Sequence, residues 1–491
     1  MNSLNKKIGI GIVWNMANMF ISRGASVVFT LFLAKFLAPE AFGLMAMIAI
    51  CYALADALMT SGFGQAIIRQ KELTDIDLST AFFTNLAFSL ITYLLVFLVA
   101  PWAAGFYGQP ELVGLIRVTG LVLFVNSLKV VQLALLNRHM DFKSLMRVNS
   151  IATVAAGLVA VGMAYAGFGV WSLVAQFMVS AAVSTGMLWL SSPWRPGFSF
   201  SIASFKYMFG FGSKLTLEST LNVLYENSYI LVIGKLFSPE ITGLYYFAKR
   251  IRDLIVDQAN SAVQQATYPA MALIQDDDAD LKRMYRLIIQ LLFFVITPAL
   301  LIISLLAQPL FQIAFNERWL PAVPYLQLLC IAGILFPVHT VNFNMLKVKG
   351  RTDLILYLGL IKKGLHLALL AASVPYGITG ILAGQIIAMA LSCLPYMYYS
   401  AALIGYTLGE QLKDMLKPVI AATLAVAATW LLLNALGASA PWAAVIGGLA
   451  FAALYLAISH LANVEGYALI KNKSHALLAG RLRKAQPKTQ A

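Results

Sequence analysis

The string Lys35, Pro39, Glu40, Gly43, Leu44 recurs two hundred positions later as Lys235, Pro239, Glu240, Gly243, Leu244, and each copy sits in a short break between two long apolar stretches. A duplication of this kind restricts the chain to architectures in which two halves are built on one plan. In membrane proteins, matching helix breaks in two halves mark transporters whose substrate path lies between the repeats. The repeat also reaches beyond the string. Asn18, Ser22 and Ser26 map at the same offset onto Glu218, Asn222 and Glu226, spaced four apart so that each set lies within about 80° of one helix face. Farther along, the offset drifts to roughly 210, where Arg138 and Asp141 resemble Arg351 and Asp353.

Lipid must be the solvent. Hydrophobic residues make up 60% of the chain and charged residues 11%, the mean hydropathy is +0.79, and soluble domains carry about 25% charged residues. A hydrocarbon core about 30 Å thick needs about 20 apolar residues per helix. The pattern predicts fourteen spans: 10–36, 43–66, 79–101, 112–135, 149–166, 169–190, 212–235, 243–270, 287–307, 322–345, 354–374, 377–402, 417–436 and 441–461. The first follows Lys6 and Lys7 as a signal peptide would, but its length, the central Arg23 and the lack of a small-residue cleavage site favour a retained helix.

The expected fold class is therefore an all-α polytopic membrane protein, with about fourteen transmembrane helices in two pseudo-symmetric bundles around a central cavity. Residues 1–191 form the N-terminal bundle (spans 1 to 6) and 192–211 an interfacial linker. Residues 212–402 form the C-terminal bundle (spans 7 to 12), 403–461 two additional helices and 462–491 a basic tail. The linker is aromatic, with Trp194, Phe198, Phe200 and Phe205 beside Arg195 and Lys206, a composition suited to a helix lying on the membrane surface.

Lys and Arg fix the orientation. One set of connections holds twenty-four cationic side chains and the other only Lys35, Arg117, Lys235 and Arg318, which places both termini in the cytoplasm. The net charge of +14 is then topology and attraction to anionic membrane lipids, and nucleic acid is not an expected partner. Cys51, Cys330 and Cys393 fall inside apolar spans without metal-ligand spacing, and the five histidines are scattered, so no metal site is expected. The chain has no GxxxxGK[ST], HExxH or GxSxG string.

A charge at membrane depth costs about 2.5 to 3.5 kcal/mol on insertion scales and therefore faces protein or a wet cavity. The cationic candidates for substrate binding are Arg23, Lys129, Lys249, Arg250 and Arg252, which suit an anionic substrate such as a diphosphate. Tyr225 and Tyr229 are candidate stacking rings for sugars. Asp56, Glu218, Glu226, Asp253 and Asp257 are candidates to bind a coupling proton or sodium ion, the only cofactor-like species expected. Lys249, Asp253, Asp257, Asn260 and Gln264 fall at about 0, 40, 80, 20 and 60° around a helix, so one face of the eighth span is polar along its length. The plain alternative is that pairs such as Lys249 and Asp253 satisfy each other inside a bundle. Lys362 and Lys363 read as snorkelling side chains near the cytoplasmic surface. Pro39-Glu40 and Pro239-Glu240 read as fold residues: proline ends the preceding helix, and glycine at 43 or 243 lets the next start close by. The acidic run Asp276 to Asp278 with Asp280 reads as a helix start matched to the helix dipole.

Several strings carry a family resemblance. Leu37-Ala-Pro-Glu-Ala-Phe-Gly-Leu44 is followed by Gly62-Phe-Gly-Gln-Ala-Ile-Ile-Arg-Gln-Lys71, Leu78-Ser-Thr80, Phe106-Tyr-Gly108, Asn137-Arg-His-Met-Asp-Phe-Lys143 and Gly167-Phe-Gly-Val-Trp171. In order and spacing the chain resembles the polysaccharide-transporter, Wzx-like flippase branch of the multidrug/oligosaccharidyl-lipid/polysaccharide exporter superfamily. The resemblance implies a MATE-like inverted V with seven helices per half, in a bacterial inner membrane. It implies translocation of a polyprenyl-diphosphate-linked oligosaccharide for exopolysaccharide, colanic-acid-type or O-antigen synthesis, beside polysaccharide polymerase machinery and without enzymatic chemistry. Cationic cavity residues of that family match Arg23 and the Lys249 to Arg252 cluster by position. A cation-coupled multidrug exporter of the same superfamily ranks second, because its drugs would favour an acidic cavity and here the acids are matched by bases. A lipid II flippase is separable only by substrate. A membrane polymerase or ligase would need a larger outer loop than 102–111 or 308–321.

Overall fold

The computed structural model describes residues 24–60, 63–70, 72–437, 439–469 and 471. Arg23, Asn18 and Ser22, the start of the first span and the tail beyond residue 471 lie outside the described residues. So do the side chains of Asn260 and Gln264. Every regular element among the described residues is helical. The chain divides into two compact units, Met1–Tyr246 and Phe247–Ala491.

The first unit holds α1 (Gly24–Phe36), α2 (Pro39–Thr60), α3 (Phe63–Arg69), α4 (Asp75–Tyr107), α5 (Leu112–Ser127), α6 (Val130–Arg138), α7 (Phe142–Tyr165), α8 (Trp171–Ser191), α9 (Ile202–Glu226) and α10 (Ser228–Leu236). It closes with the first two turns of α11 (Pro239–Ala272). Within it α2 packs on α4, α5 and α9, while α7 lies along α8. The second unit takes the rest of α11, then α12 (Asp278–Ala314), α13 (Ala322–Gly333), α14 (Phe336–Val348), α15 (Thr352–Ser373), α16 (Gly377–Ile404), α17 (Leu408–Leu436) and α18 (Ala440–Leu461). Here α12 is central and touches α13, α17 and α18. The duplication is visible helix by helix: α2, α4, the α5 and α6 pair, α7 and α8 recur as α11, α12, the α13 and α14 pair, α15 and α16.

By length and composition, nine helical segments among the described residues are able to cross a membrane, ten if the bent pair α5 and α6 is one span. The fourteen crossings expected from the sequence are not reproduced by that criterion, and the difference has physical sources. The α15 to α16 stretch, Thr352–Ile404, runs on as one segment of 53 residues, about 80 Å of helix and so more than one crossing. In the seventh and eighth spans, α9 and α11 carry the polar stripes and are less apolar, and α10 is only nine residues long.

The repeated glycines behave differently from the expectation. Pro39 and Pro239 do not end the preceding helices but open α2 and α11, the first-turn position where a missing N–H costs nothing. Gly43 and Gly243 lie one turn further, against each other. A β-carbon on Gly43 would stand 1.8 Å from the Pro239 carbonyl oxygen, and one on Gly243 would stand 1.8 Å from that of Pro39. The repeated string therefore forms a pseudo-symmetric backbone crossing that only glycine permits.

The segment 192–211 is likewise not a separate surface helix. Residues 192–201 form a non-helical strap, and α9 begins ten residues before the predicted span. The strap is tied to the start of α4: the Gly197 amide donates to Ser79 Oγ (3.1 Å) and the Ser201 amide to Thr80 Oγ1 (2.9 Å). Trp194 packs among Phe63, Phe82 and Ile67. Trp194 is half-buried while Phe198 and Phe200 are exposed, and the two amide bonds fix the path of the strap. Two helices run past the ends of their predicted spans, α4 through Pro101 to Tyr107 and α12 through Pro309 to Ala314.

The helix start expected at the acidic run is present. Asp277 accepts from the amides of Ala279 (2.9 Å) and Asp280 (3.0 Å) at the start of α12. At the same end of the second unit, Arg286 pairs with Asp414, whose side chain is 1% exposed. Tyr406 donates to the same carboxylate at 2.7 Å, and burial followed by that bond pushes its phenol above its ordinary value. Lys282 bridges to Glu410 at 3.0 Å. These contacts fasten α17 to α12, and a stripe of Ala421, Ala422 and Ala425 lets the helices pack against Phe294 and Phe451.

Candidate functional site

In the first unit the polar site is built at a helix break. α5 ends at Ser127 and α6 begins at Val130 with a 47° bend between them. A break releases backbone carbonyls that lipid cannot satisfy, and α8 satisfies them: Thr185 Oγ1 donates to the Val125 carbonyl (3.1 Å) and Trp189 Nε1 to that of Leu128 (2.8 Å). Lys129 sits in the break and donates from Nζ to Ser184 Oγ at 2.8 Å. On the α2 side, Asn126 Nδ2 donates to the Tyr52 hydroxyl at 2.7 Å, and that hydroxyl points to Asp56 Oδ1 at 3.4 Å. Asp56 also acts electrostatically on Lys129. A base and an acid are thus held at membrane depth by α2, α8 and the α5 to α6 break.

The second unit presents another arrangement. On α11, Asp253 accepts from Lys249 at 2.7 Å and from Arg252 at 2.8 Å. Arg252 is 7% exposed, and its Nε has no hydrogen-bond partner among the described residues. Its stem lies against Gly333, where an added β-carbon would stand 3.3 Å from Arg252 Cδ. Gly333 is the last residue of α13 before the break to α14, so Arg252 reaches the counterpart of the break that holds Lys129. Beyond it, His339 of α14 shares a 3.0 Å hydrogen bond with Ser392 and meets the Tyr396 ring edge-on at 4.9 Å. A guanidinium with a donor to spare, beside a carboxylate shared by two cations, suits an anion that takes over part of the pairing.

The structure brings together Asp56 with Lys129, and Lys249 and Arg252 with Asp253. Lys249 and Asp253 form the i,i+4 pair that the plain reading described. Arg250 is half-buried on the same helix and Asp257 is exposed. On α9, Glu218 is exposed and accepts from Asn222 at 2.5 Å, Tyr225 is half-buried, and Glu226 is exposed at the last helical position. Tyr229, expected as a stacking ring, is instead 6% exposed in the core of the first unit. Arg23 lies outside the described residues. Lys362 departs from the snorkelling expectation: it is half-buried and acts electrostatically on His339, His366 and Cys393. Ten residues separate it from the start of α15, about 15 Å of helix, which carries it past easy reach of the surface.

Sequence reasoning passed over Tyr52, Asn126, Ser184, His339 and Ser392, because it weighed charges and not neutral hydrogen-bonding groups. The usable signal was Tyr52 four residues before Asp56, and a histidine in the apolar run 322–345.

Known proteins share this architecture. The fold matches the lipid II flippase MurJ in an inward closed conformation with a TM-score of 0.74 at 15% identity, covering 91% of this chain and 98% of that one. It also matches an inward-facing multidrug resistance MATE family transporter of the MOP superfamily with a TM-score of 0.58 at 16% identity, over 80% of this chain and 98% of that one. Among curated relatives, the lipopolysaccharide biosynthesis protein WzxC of Escherichia coli (strain K12) is 27% identical over 354 residues, 72% of each chain. The succinoglycan biosynthesis transport protein ExoT of Rhizobium meliloti (strain 1021) is 27% identical over 336 residues, 68% of each chain. The teichuronic acid biosynthesis protein TuaB of Bacillus subtilis (strain 168) is 26% identical over 307 residues, 62% of this chain and 63% of that one. The family model for polysaccharide biosynthesis proteins matches residues 32–324, more than half of the sequence, so the chain belongs to the polysaccharide biosynthesis protein family.

Proposed function

We propose that the protein is a flippase that moves a polyprenyl-diphosphate-linked oligosaccharide across the bacterial inner membrane for the synthesis of a surface or secreted polysaccharide. The observation that carries this reading is the membrane-depth cluster of Arg252, Lys249 and Asp253 in a chain of the polysaccharide biosynthesis protein family. A diphosphate offers oxygens for the unpartnered Arg252 Nε and for Arg250, and its charge competes with Asp253 for Lys249. Lys129 in the first unit supplies a second cation, and Asp56 and Asp253 are the acids that would exchange a coupling proton or sodium ion. The duplicated plan suits alternating access.

The many cationic connections on one side support cytoplasmic termini. Lipid-linked sugar is the substrate, and polysaccharide polymerase machinery is the expected downstream partner. The relative named as a transport protein supports a transporter rather than an enzyme.

The test is flipping of a fluorescent polyprenyl-diphosphate oligosaccharide in proteoliposomes, read by quenching from outside. Arg250→Ala combined with Arg252→Ala abolishes flipping while the protein still inserts and reconstitutes. Wild-type flipping by that double variant would remove the binding role.

A further inference from the structure

A second polar site lies in the second unit, and Arg252 is not among its lining residues. Ser304, Gln308 and Gln312 of α12, Gln327 of α13, and Trp430 and Asn434 of α17 line a cleft of about 490 Å³. The residues come from two helical stripes. Ser304, Gln308 and Gln312 are spaced four apart and share one face of α12, and Trp430 and Asn434 are one turn apart on α17. Amides in such positions are anomalous in helices this apolar, because an amide facing lipid lacks partners.

The cleft lies at the far end of the helices from the Arg286 and Asp414 pair. Gln308 is 22 residues beyond Arg286 on one helix, about 33 Å, and Asn434 is 20 residues beyond Asp414, about 30 Å. These lengths equal the hydrocarbon thickness. The cleft therefore opens at the opposite membrane face from the cationic end, the external face in the topology proposed above.

Its chemistry is selective. None of its lining residues is charged, so it offers nothing to a diphosphate. Carboxamides each present two donors and an acceptor in a plane, a match for adjacent hydroxyls that both donate and accept. Trp430 is 53% exposed and offers a flat apolar face, which covers the C–H side of a pyranose ring while the amides take its hydroxyls. Gln327 donates to the Ser304 carbonyl at 3.1 Å, which fixes the wall between α12 and α13. Gln308, Gln312 and Asn434 are exposed.

We infer that this cleft is a binding site for uncharged saccharide units at the external membrane face. It is separate from the diphosphate-binding cations and takes the sugar portion of a glycolipid or a free glycan end. Its placement outside rests on the proposed topology; its ligand chemistry does not.

The experiment uses the full chain in phosphatidylethanolamine and phosphatidylglycerol nanodiscs with maltotetraose as the probe, read by saturation-transfer NMR. Wild-type protein transfers saturation to the maltotetraose ring protons. Trp430→Ala, and separately Gln308→Ala with Gln312→Ala, weaken binding by about tenfold or more, the loss of one or two good contacts. These side chains are exposed, and thermal unfolding of the variants confirms that they fold. Adding glucosyl-diacylglycerol to the nanodiscs then identifies the source. Displacement of maltotetraose assigns the site to lipid-linked sugar, retention assigns it to free glycan, and both uphold the cleft. No transfer in the wild type, or equal transfer in wild type and both variants, overturns the proposal. Binding is read without translocation, so failure of the flippase reading leaves this result standing, and failure of the cleft leaves flipping untouched.

Discussion

The α5 to α6 break of the first unit and the α13 to α14 break of the second hold equivalent places in the duplicated order of helices, yet they are filled differently. The first is closed by α8, whose Thr185 and Trp189 take the freed carbonyls, and it holds Lys129 directly against Ser184. The second has Gly333 at its edge, admits the stem of Arg252 from α11, and buries His339 against Ser392. The backbone device was kept after duplication while its side chains diverged. One half presents an amine paired with a hydroxyl; the other presents a guanidinium with a spare donor beside a shared carboxylate. Two unlike cation sites suit an asymmetric substrate, charged at one end and polyhydroxylated along its length.

The sharpest way to break this comparison is to remove charge from each side in turn. Arg252→Ala with Arg250→Ala takes the larger effect, loss of flipping, in the proteoliposome assay described above. Lys129→Met reduces the flipping rate by roughly tenfold, the worth of one charge-assisted hydrogen bond. If Lys129→Met abolished flipping and the arginine pair were dispensable, the ranking of the two sites would be reversed.

Glycine substitutions test the packing side of the comparison. Gly43→Ala and Gly243→Ala each force a β-carbon onto a backbone carbonyl, and each destabilises the protein by about 3 kcal/mol, read as a drop in thermal unfolding temperature in detergent. Gly333→Ala meets side-chain atoms and no backbone: Leu300 Cδ1 (3.0 Å), the stem of Arg252 (3.3 Å) and Val256 Cγ2 (3.4 Å). It therefore costs about 1 kcal/mol and shifts Arg252 enough to lower flipping. A Gly333→Ala loss as large as that of Gly43→Ala would mean that this break is as rigid as the crossing. The smallest expected effect is at His339. His339→Phe keeps the apolar contact with Tyr396 and leaves Ser392 bonded to the Met389 carbonyl, so stability falls by about 1 kcal/mol and flipping by less than about twofold. A much larger loss would make the imidazole part of the transport chemistry.

The sequence showed the duplication and the Lys249 to Asp253 register, because both are periodic along the chain. Contacts between distant positions were hidden. Nothing in the spacing of Ser184 relates it to Lys129, or Ser392 to His339; those pairs exist only because separate helices pack together. Pro39 and Pro239 read as helix ends because a proline after an apolar stretch cannot continue the helix, whereas each opens the helix that follows. The 192–211 segment reads as one helix because its aromatic residues suit a helix on a membrane surface; the bonds from Gly197 and Ser201 to the start of α4, which hold its first half in a non-helical path, are invisible in the composition.

The most direct test of the central claim is the sidedness of polyprenyl-diphosphate-linked oligosaccharide in cells with and without this protein, read by mass spectrometry after enzymatic trimming from the outer face. The account predicts that the intermediate accumulates on the cytoplasmic face, protected from trimming, when the protein is absent. An unchanged pool with unchanged sidedness would contradict it.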